Sequence, residues 1–278
     1  MVFEQRTYPP GVPCWIDTEP EDSSAARAFY GGLFGWTFEE RMPPGSSVSY
    51  VVASLDGAVV AAIGTPGEDT VPGWNTYVAV EDVDATAAAI EQAGGRATTP
   101  PDDAGPAGRS ANFEDVTGAR FRLWQPGRRA GVDIANVAGA WNFSDLHTDD
   151  QAGARTFYGG LFGWEFDDLG FACLIRRPGY GDHLESTVDP EIRSRQSEVS
   201  APPGFEDAVA WLAPLADGER PHWHVTFAVA DRDAAAAQAI ALGAEDLSGP
   251  VDTDWTRTVT IRDPQGAVCT LSQFTPPG

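Results

Sequence analysis

The octapeptide FYGGLFGW occurs twice in this chain, at Phe29 to Trp36 and again at Phe157 to Trp164, 128 residues later. An exact repeat of that length makes the two halves homologous, so the fold must be one that a duplicated sequence can build. VAVEDVDATAAAIEQAGG (Val78 to Gly95) corresponds to FAVADRDAAAAQAIALGA (Phe227 to Ala244) at an offset of 149, and Asp115-x-x-Gly118-Ala119 corresponds to Asp263-Pro-Gln-Gly266-Ala267 at 148. The growth in offset places an insertion of about 21 residues in the second half. Its polar, Gly/Pro-rich Tyr180 to Phe205 stretch is the expected place, and a lid over a cleft and a tolerated surface loop are equally good readings of it.

Each half is itself doubled, because a strand-like run followed by an Asp-led, alanine-rich helix occurs twice in it. Asp22 and Asp84 stand where helix N-termini are expected, and Gly35 and Gly94 where those helices end. Ala26, Phe29, Tyr30 and Leu33 recur at helical spacing. Helices are predicted at about 22–34, 84–93, 150–162 and 233–242, each in a unit of one strand, one helix and about three strands. Pro126 to Gly131 breaks the pattern, which divides the chain into residues 1–127, a linker at 128–137, and residues 138–278 with the insertion around 180–205.

These units carry Asp22-x-x-x-Ala-x-x-Phe29-Tyr30-x-x-Leu33-x-Gly35-Trp36, the junction Val80-x-Asp82-x-Asp84, and Asp263-Pro264-x-Gly266 before a final strand. In these motifs the sequence resembles the vicinal oxygen chelate superfamily, which contains glyoxalase I, bleomycin-resistance proteins, fosfomycin-resistance enzymes and extradiol dioxygenases. The resemblance implies an α+β fold of four βαβββ modules forming two tandem glyoxalase/bleomycin-resistance-type domains, each curling a sheet around a cleft. Metal-dependent members place ligands on the first and last strands of their modules. Those positions fall on Trp15, Asn75 and Arg122 in the first domain and on Phe143, His224 and Thr270 in the second. The remaining position lies in Ala58 to Gly64 or Ala208 to Ala213, which hold neither carboxylate nor imidazole. A tight divalent site needs three or four converging donors, so no metal and no other cofactor is expected. His222 and His224 share a strand face and lack a nearby acid other than Asp145.

Strand alternation puts Asp17 on the face of Trp15 and Asp145 on the face of Phe143. A carboxyl in an aromatic-walled cleft suits a hydrogen-bond anchor or a general base. Arg122 can pair with Asp17 and supply a fixed positive charge in place of a metal. Trp15, Trp74, Tyr77 and Trp124 are expected as aromatic walls of the first cleft, with Asp17, Asn75 and Arg122 as polar anchors and Phe143 and Thr270 as their counterparts in the second. The catalytic candidates are Asp145, His222 and His224. His147 and His183 are assigned to a loop and to the insertion, at the surface. No nucleophile elbow or phosphate loop is present in the sequence.

With 18 basic against 41 acidic residues, the formal charge is −23. Such a field repels phosphate backbones and anionic lipid surfaces, so nucleic-acid and membrane partners are excluded from the expectation. No apolar run approaches the roughly 20 residues of a membrane span, and no secretory signal is visible, so the expected location is cytoplasmic. The three cysteines, Cys14, Cys173 and Cys269, are too few and too scattered for a disulfide framework. The expected activity is metal-free binding of a small hydrophobic or aromatic molecule by a monomer or homodimer. The alternative is an enzyme of the same superfamily (lyase, isomerase, dioxygenase or hydroxylase-like) acting through Asp145 and His224. A structural role follows if both clefts are filled by their own side chains.

Overall fold

The computed structural model describes residues 6–67, 70–170, 172–199 and 201–276. The first half runs β1 (Pro13–Thr18), α1 (Ser23–Phe34), β2 (Thr37–Glu40), β3 (Tyr50–Leu55), β4 (Ala58–Gly64), β5 (Trp74–Ala79), α2 (Val83–Gln92), β6 (Arg96–Asp103), β7 (Gly108–Glu114) and β8 (Arg120–Pro126). The second half repeats this as β9 (Trp141–His147), α3 (Gln151–Phe162), β10 (Glu165–Asp168) and β11 (Cys173–Arg176). The insertion helices α4 (Tyr180–Ser186) and α5 (Ile192–Glu198) follow, then β12 (Ala208–Ala213), β13 (His222–Ala228) and α6 (Arg232–Ala241). The chain closes with β14 (Glu245–Asp246), β15 (Val251–Asp252), β16 (Thr256–Arg262) and β17 (Val268–Phe274). Four βαβββ units are present, and the four helices expected from the sequence fall within a residue or so of their predicted limits.

Each half forms its own sheet, in the order β2-β3-β4-β1-β5-β8-β7-β6 and β10-β11-β12-β9-β13-β17-β16-β14, with β15 also on β16. The first strands of the two units in a half meet antiparallel at its centre, Asp17 opposite Asn75 and Asp145 opposite His224. The helices start where a carboxylate accepts the free N–H groups of the first turn: Asp22 takes those of Ser24 and Ala25, and Asp150 takes that of Gly153. Gly35 and Gly163, at φ of +74° and +66°, end α1 and α3 in the left-handed conformation that a side chain disfavours.

The apolar faces of these helices pack against their own sheet and are closed over by the opposite half of the chain. One core cluster joins Phe29, Tyr30, Phe34 and Trp36 to Val225, Phe227, Ile261 and Leu271. The other joins Phe157, Tyr158, Phe162 and Trp164 to Val78, Ile90, Phe113 and Phe121. Polar bonds repeat the exchange. Tyr30 Oη donates to Asp263 at 2.7 Å and Tyr158 Oη to Asp115 at 2.8 Å, while Trp36 and Trp164 donate their indole N–H groups to the carbonyls of Gly139 and Gly11. The repeated octapeptide is thus a reciprocal docking device that closes both interdomain cores.

Segment 128–137 packs along the first sheet, where the Val132 and Asp133 N–H groups donate to the carbonyls of Cys14 and Val59. The insertion is helical, and Tyr180, Leu184 and Ile192 bury against the second core. Among the described residues no helix is long and apolar enough to cross a membrane.

Candidate functional site

The concave faces of the two sheets are built on one plan and filled differently. On the first, Asp17 is fully buried and accepts hydrogen bonds from Tyr50 Oη (2.9 Å), Tyr77 Oη (2.6 Å) and Asn75 Nδ2 (2.8 Å). Arg122 Nη1 lies 3.5 Å from Asp17 and donates to Tyr77 Oη, and both terminal nitrogens clamp the Glu19 carboxylate at 2.6 and 2.7 Å. Burial pushes the Asp17 carboxyl above its ordinary range, and the Arg122 charge opposes that shift. Trp15 is almost wholly buried and donates its indole N–H to Tyr50 Oη, while Trp124 donates to the Arg129 carbonyl and meets Tyr77 edge-on. Of this group Glu19, Asn75 and Arg122 line the open cavity, Tyr50 and Trp124 are half-buried, and Trp15, Asp17 and Tyr77 are buried. The Arg122–Asp17 proximity expected from sequence is present, but the stronger partner of Arg122 is Glu19.

Trp74 is misplaced by the sequence reading. It sits on the other face of β5, donates to Tyr30 Oη at 3.0 Å and packs against Tyr30, Trp36 and Phe227 in the interdomain core. Alternation alone requires this, because Asn75 and Tyr77 occupy the concave face on either side of Thr76.

On the second sheet the same register positions carry smaller groups. Tyr77 and Arg122 pair across β5 and β8, and their equivalents Thr226 and Thr270 pair across β13 and β17; β11 carries no tyrosine where β3 has Tyr50. The result is a cleft lined by Phe143, Asp145, His147, Phe205, Trp211, His222, His224, Thr226 and Thr270. Phe143, Phe205 and Trp211 form an aromatic corner with centroid separations of 6.0 to 6.4 Å. Asp145 Oδ1 is buried with no hydrogen-bond partner among the described residues. Burial pushes this carboxyl up to about 7, against the opposing hydrogen bonds of the Trp211 backbone and the Thr226 side chain.

His224 is buried, shares a 2.8 Å hydrogen bond with Thr270 Oγ1, and is pushed down to about 3 by burial and by the neighbouring imidazoles of His147 and His222. It is therefore a neutral hydrogen-bonding group. His222 lies more openly, its Nδ1 2.8 Å from the Arg220 carbonyl. His147, assigned to a surface loop from sequence, is instead the last residue of β9 and faces the cleft, with its ring 4.7 Å from that of His222 and 5.3 Å from that of His224. Continuing the alternation Phe143, Asp145, His147 by one more step would have found it. Trp211 and Phe205 carried no such signal, because their place depends on the path of the insertion and of β12 against β9.

The positions at which metal-dependent relatives hold their ion do not fit one here. Trp15 and Phe143 offer no lone pair, Arg122 brings a positive charge already committed to Glu19, and the Thr270 hydroxyl is paired with His224.

Residues 20–123 match the family described as glyoxalase/bleomycin resistance protein/dioxygenase superfamily, and residues 143–272 match the glyoxalase-like domain. The chain is 35% identical over 278 residues to "Putative glyoxylase CFP32" of Mycobacterium tuberculosis, with 98% of each chain covered. It is 33% identical over 277 residues to anthracycline biosynthesis protein DnrV of Streptomyces peucetius, covering 94% of this chain and 92% of that one. The Mn(II)-bound glyoxalase of Novosphingobium aromaticivorans has the same fold at 17% identity, with a TM-score of 0.60 over 95% of this chain and 82% of that one. Two family domains, a shared βαβββ plan and full-length relatives together place this chain in the glyoxalase/bleomycin resistance/dioxygenase, or vicinal oxygen chelate, superfamily.

Proposed function

We propose that the protein binds a planar aromatic small molecule in its second-domain cleft, without a metal at the family positions. One contrast carries the reading. The first cleft satisfies its buried carboxylate with Tyr50, Tyr77, Asn75 and Arg122, whereas the equivalent Asp145 keeps an unpartnered oxygen in a cleft walled by Phe143, Phe205 and Trp211. A buried polar atom left open beside aromatic walls is the pattern of a ligand site that takes ring area by stacking and orientation by one hydrogen bond. The relatives named for anthracycline biosynthesis agree with a fused-ring aromatic ligand. On this reading Trp15, Asp17, Tyr77 and Trp124 hold the first domain together and do not contact the ligand.

Calorimetric titration with an anthracycline and with a panel of planar phenols tests this. Saturable binding to one site per chain is expected, weakened at least about tenfold by Trp211→Ala, since losing one buried aromatic wall costs on the order of 2 kcal/mol. No saturable binding to any member of the panel, or a Trp211→Ala variant that binds as tightly as the parent, would overturn it. Acid–base catalysis is the second reading of the same cleft, because Asp145 stands opposite His224 across the β9–β13 ladder. Scoring the panel, extended with 2-oxoaldehydes, for product as well as for heat separates the two: turnover lost in His224→Gln with binding retained favours the enzyme.

A further inference from the structure

We propose a divalent-metal site of the zinc class at the mouth of the second cleft, formed by His147, His222 and Glu219. It lies off the family positions and departs from the sequence expectation that the chain holds no metal. One ligand atom from each residue lies within 4.8 Å of the other two. The β-ladder holds the imidazoles in place: His147 ends β9, His222 begins β13, and the two are direct cross-strand partners with their rings on one face. Glu219 comes from the turn before β13, which is closed by its backbone N–H donating to the Ala216 carbonyl and by its carboxylate accepting from the Ala216 N–H.

The donor chemistry fits a cation. His222 Nδ1 lies 2.8 Å from the Arg220 carbonyl, so that nitrogen carries the proton and Nε2 presents its lone pair. An outer hydrogen bond of this kind fixes the tautomer of metal-binding histidines. His147 Nδ1 is buried, has no hydrogen-bond partner among the described residues, and sits 3.7 Å from Glu219 Oε2. A buried, unpartnered ring nitrogen facing a carboxylate across a gap too wide for a good hydrogen bond has its coordination completed by an ion between them, with that nitrogen deprotonated as a ligand. Two imidazoles and one carboxylate make a three-donor set that leaves coordination open toward the cleft. Zinc bonds of about 2.0 to 2.2 Å bring tetrahedral donors to roughly 3.3 to 3.6 Å of one another, a contraction that the exposed Glu219 side chain can supply. His224 stays outside the set, because its Nε2 is engaged by Thr270. The site is independent of the aromatic ligand proposed above and has its own readout.

The test is equilibrium dialysis of the chelator-treated, full-length protein against Zn(II) alone, with Co(II) absorption as the geometric probe. The expected result is one zinc per chain and the intense visible bands of four- or five-coordinate cobalt. Affinity should fall at least about tenfold in His222→Gln, in His147→Gln and in Glu219→Gln, since each removes one of three donors. It should stay unchanged in His183→Gln and His224→Gln, the other two histidines of the chain. Glu219 sits in an exposed turn, so its variant reports even if a strand variant fails to fold. Uptake far below one equivalent, octahedral cobalt spectra, or zinc binding that survives the His147→Gln/His222→Gln double change would overturn the site. Each of these outcomes leaves the aromatic titration of the parent protein as it was, so the two proposals fail separately.

Discussion

The hydroxyl of Tyr30 donates a 2.7 Å hydrogen bond to the carboxylate of Asp263, 233 residues further along the chain, and itself accepts one from the Trp74 indole. Tyr158, the same residue of the second octapeptide, does this with Asp115 and Trp223. Each half therefore supplies a tyrosine to a buried carboxylate of the other, and each helix face is covered by its own sheet and by the opposite half together. Gly32 of α1 allows the close approach, since a β-carbon there would stand 3.0 Å from the Leu242 side chain just beyond α6.

Tyr30→Phe should cost about 1.5 to 3 kcal/mol of unfolding free energy, the range for a hydrogen bond to a charged group, because it strips a donor from buried Asp263 and an acceptor from Trp74. Tyr158→Phe should cost a similar amount. Denaturant unfolding monitored by circular dichroism reads both, and a single transition is expected because the cores are shared. Two separated transitions in the parent protein would contradict that sharing.

Trp15→Ala should destabilise the fold by about 3 to 5 kcal/mol, the usual loss for a large buried aromatic, and leave aromatic-ligand affinity unchanged. Asp17→Ala should cost about 2 to 5 kcal/mol, because it takes the shared acceptor from Tyr50, Tyr77 and Asn75 inside the fold while Arg122 keeps Glu19. Unfolding curves and a ligand titration on the same samples make the comparison. A loss of affinity with stability intact would move the ligand to the first cleft.

Thr226→Tyr transplants the Tyr77 side chain into the second cleft. The variant should fold and place its phenol beside Asp145, as Tyr77 does beside Asp17, and lose at least about tenfold in affinity, since the pocket's buried area is taken by its own side chain. Calorimetry against the parent protein measures it. Unchanged affinity would mean that the ligand does not enter between Asp145 and Trp211.

Glu40 gives a pH-dependent readout at the β2–β3 connection. Its carboxylate accepts from the Ser49 side chain and the Met42 and Tyr50 backbone N–H groups, which hold it down to about 2 from an ordinary 4.5. A carboxylate held lower in the folded state contributes stability above about pH 4.5, and that contribution is lost as the pH falls through about 2. Glu40→Gln should thus melt below the parent at pH 6, with the gap closing at pH 2. Solvent exposure and salt keep the gap small. Thermal melts across that window decide it, and a constant difference at both ends would show that the carboxylate charge plays no part.

How much of this was legible in the chain follows physical locality. Helix limits were fixed by short-range signals, such as Asp22 capping α1 and Gly35 ending it, and by apolar spacing that any reader of the sequence can count. Duplication was visible because FYGGLFGW is an identity and needs no structure to recognise. Strand alternation put Asp17 and Asp145 on concave faces and, applied consistently, would also have turned Trp74 toward the core and brought His147 to the cleft. The second half of the octapeptide's role was not legible: that Tyr30 serves Asp263 and Tyr158 serves Asp115 depends on how two sheets pack, which no local pattern encodes. The same holds for Phe205, which reaches Phe143 from the end of the folded insertion, and for Trp211, which does so through the pairing of β12 with β9. Above all, the sequence determined that the two clefts bear Asp17 and Asp145 at equivalent places, and only the tertiary structure decided that one is closed and the other open. Closure is a matter of volume: Tyr50, Tyr77 and Arg122 converge from three strands to fill the first, and Thr226 and Thr270 leave the corresponding space in the second.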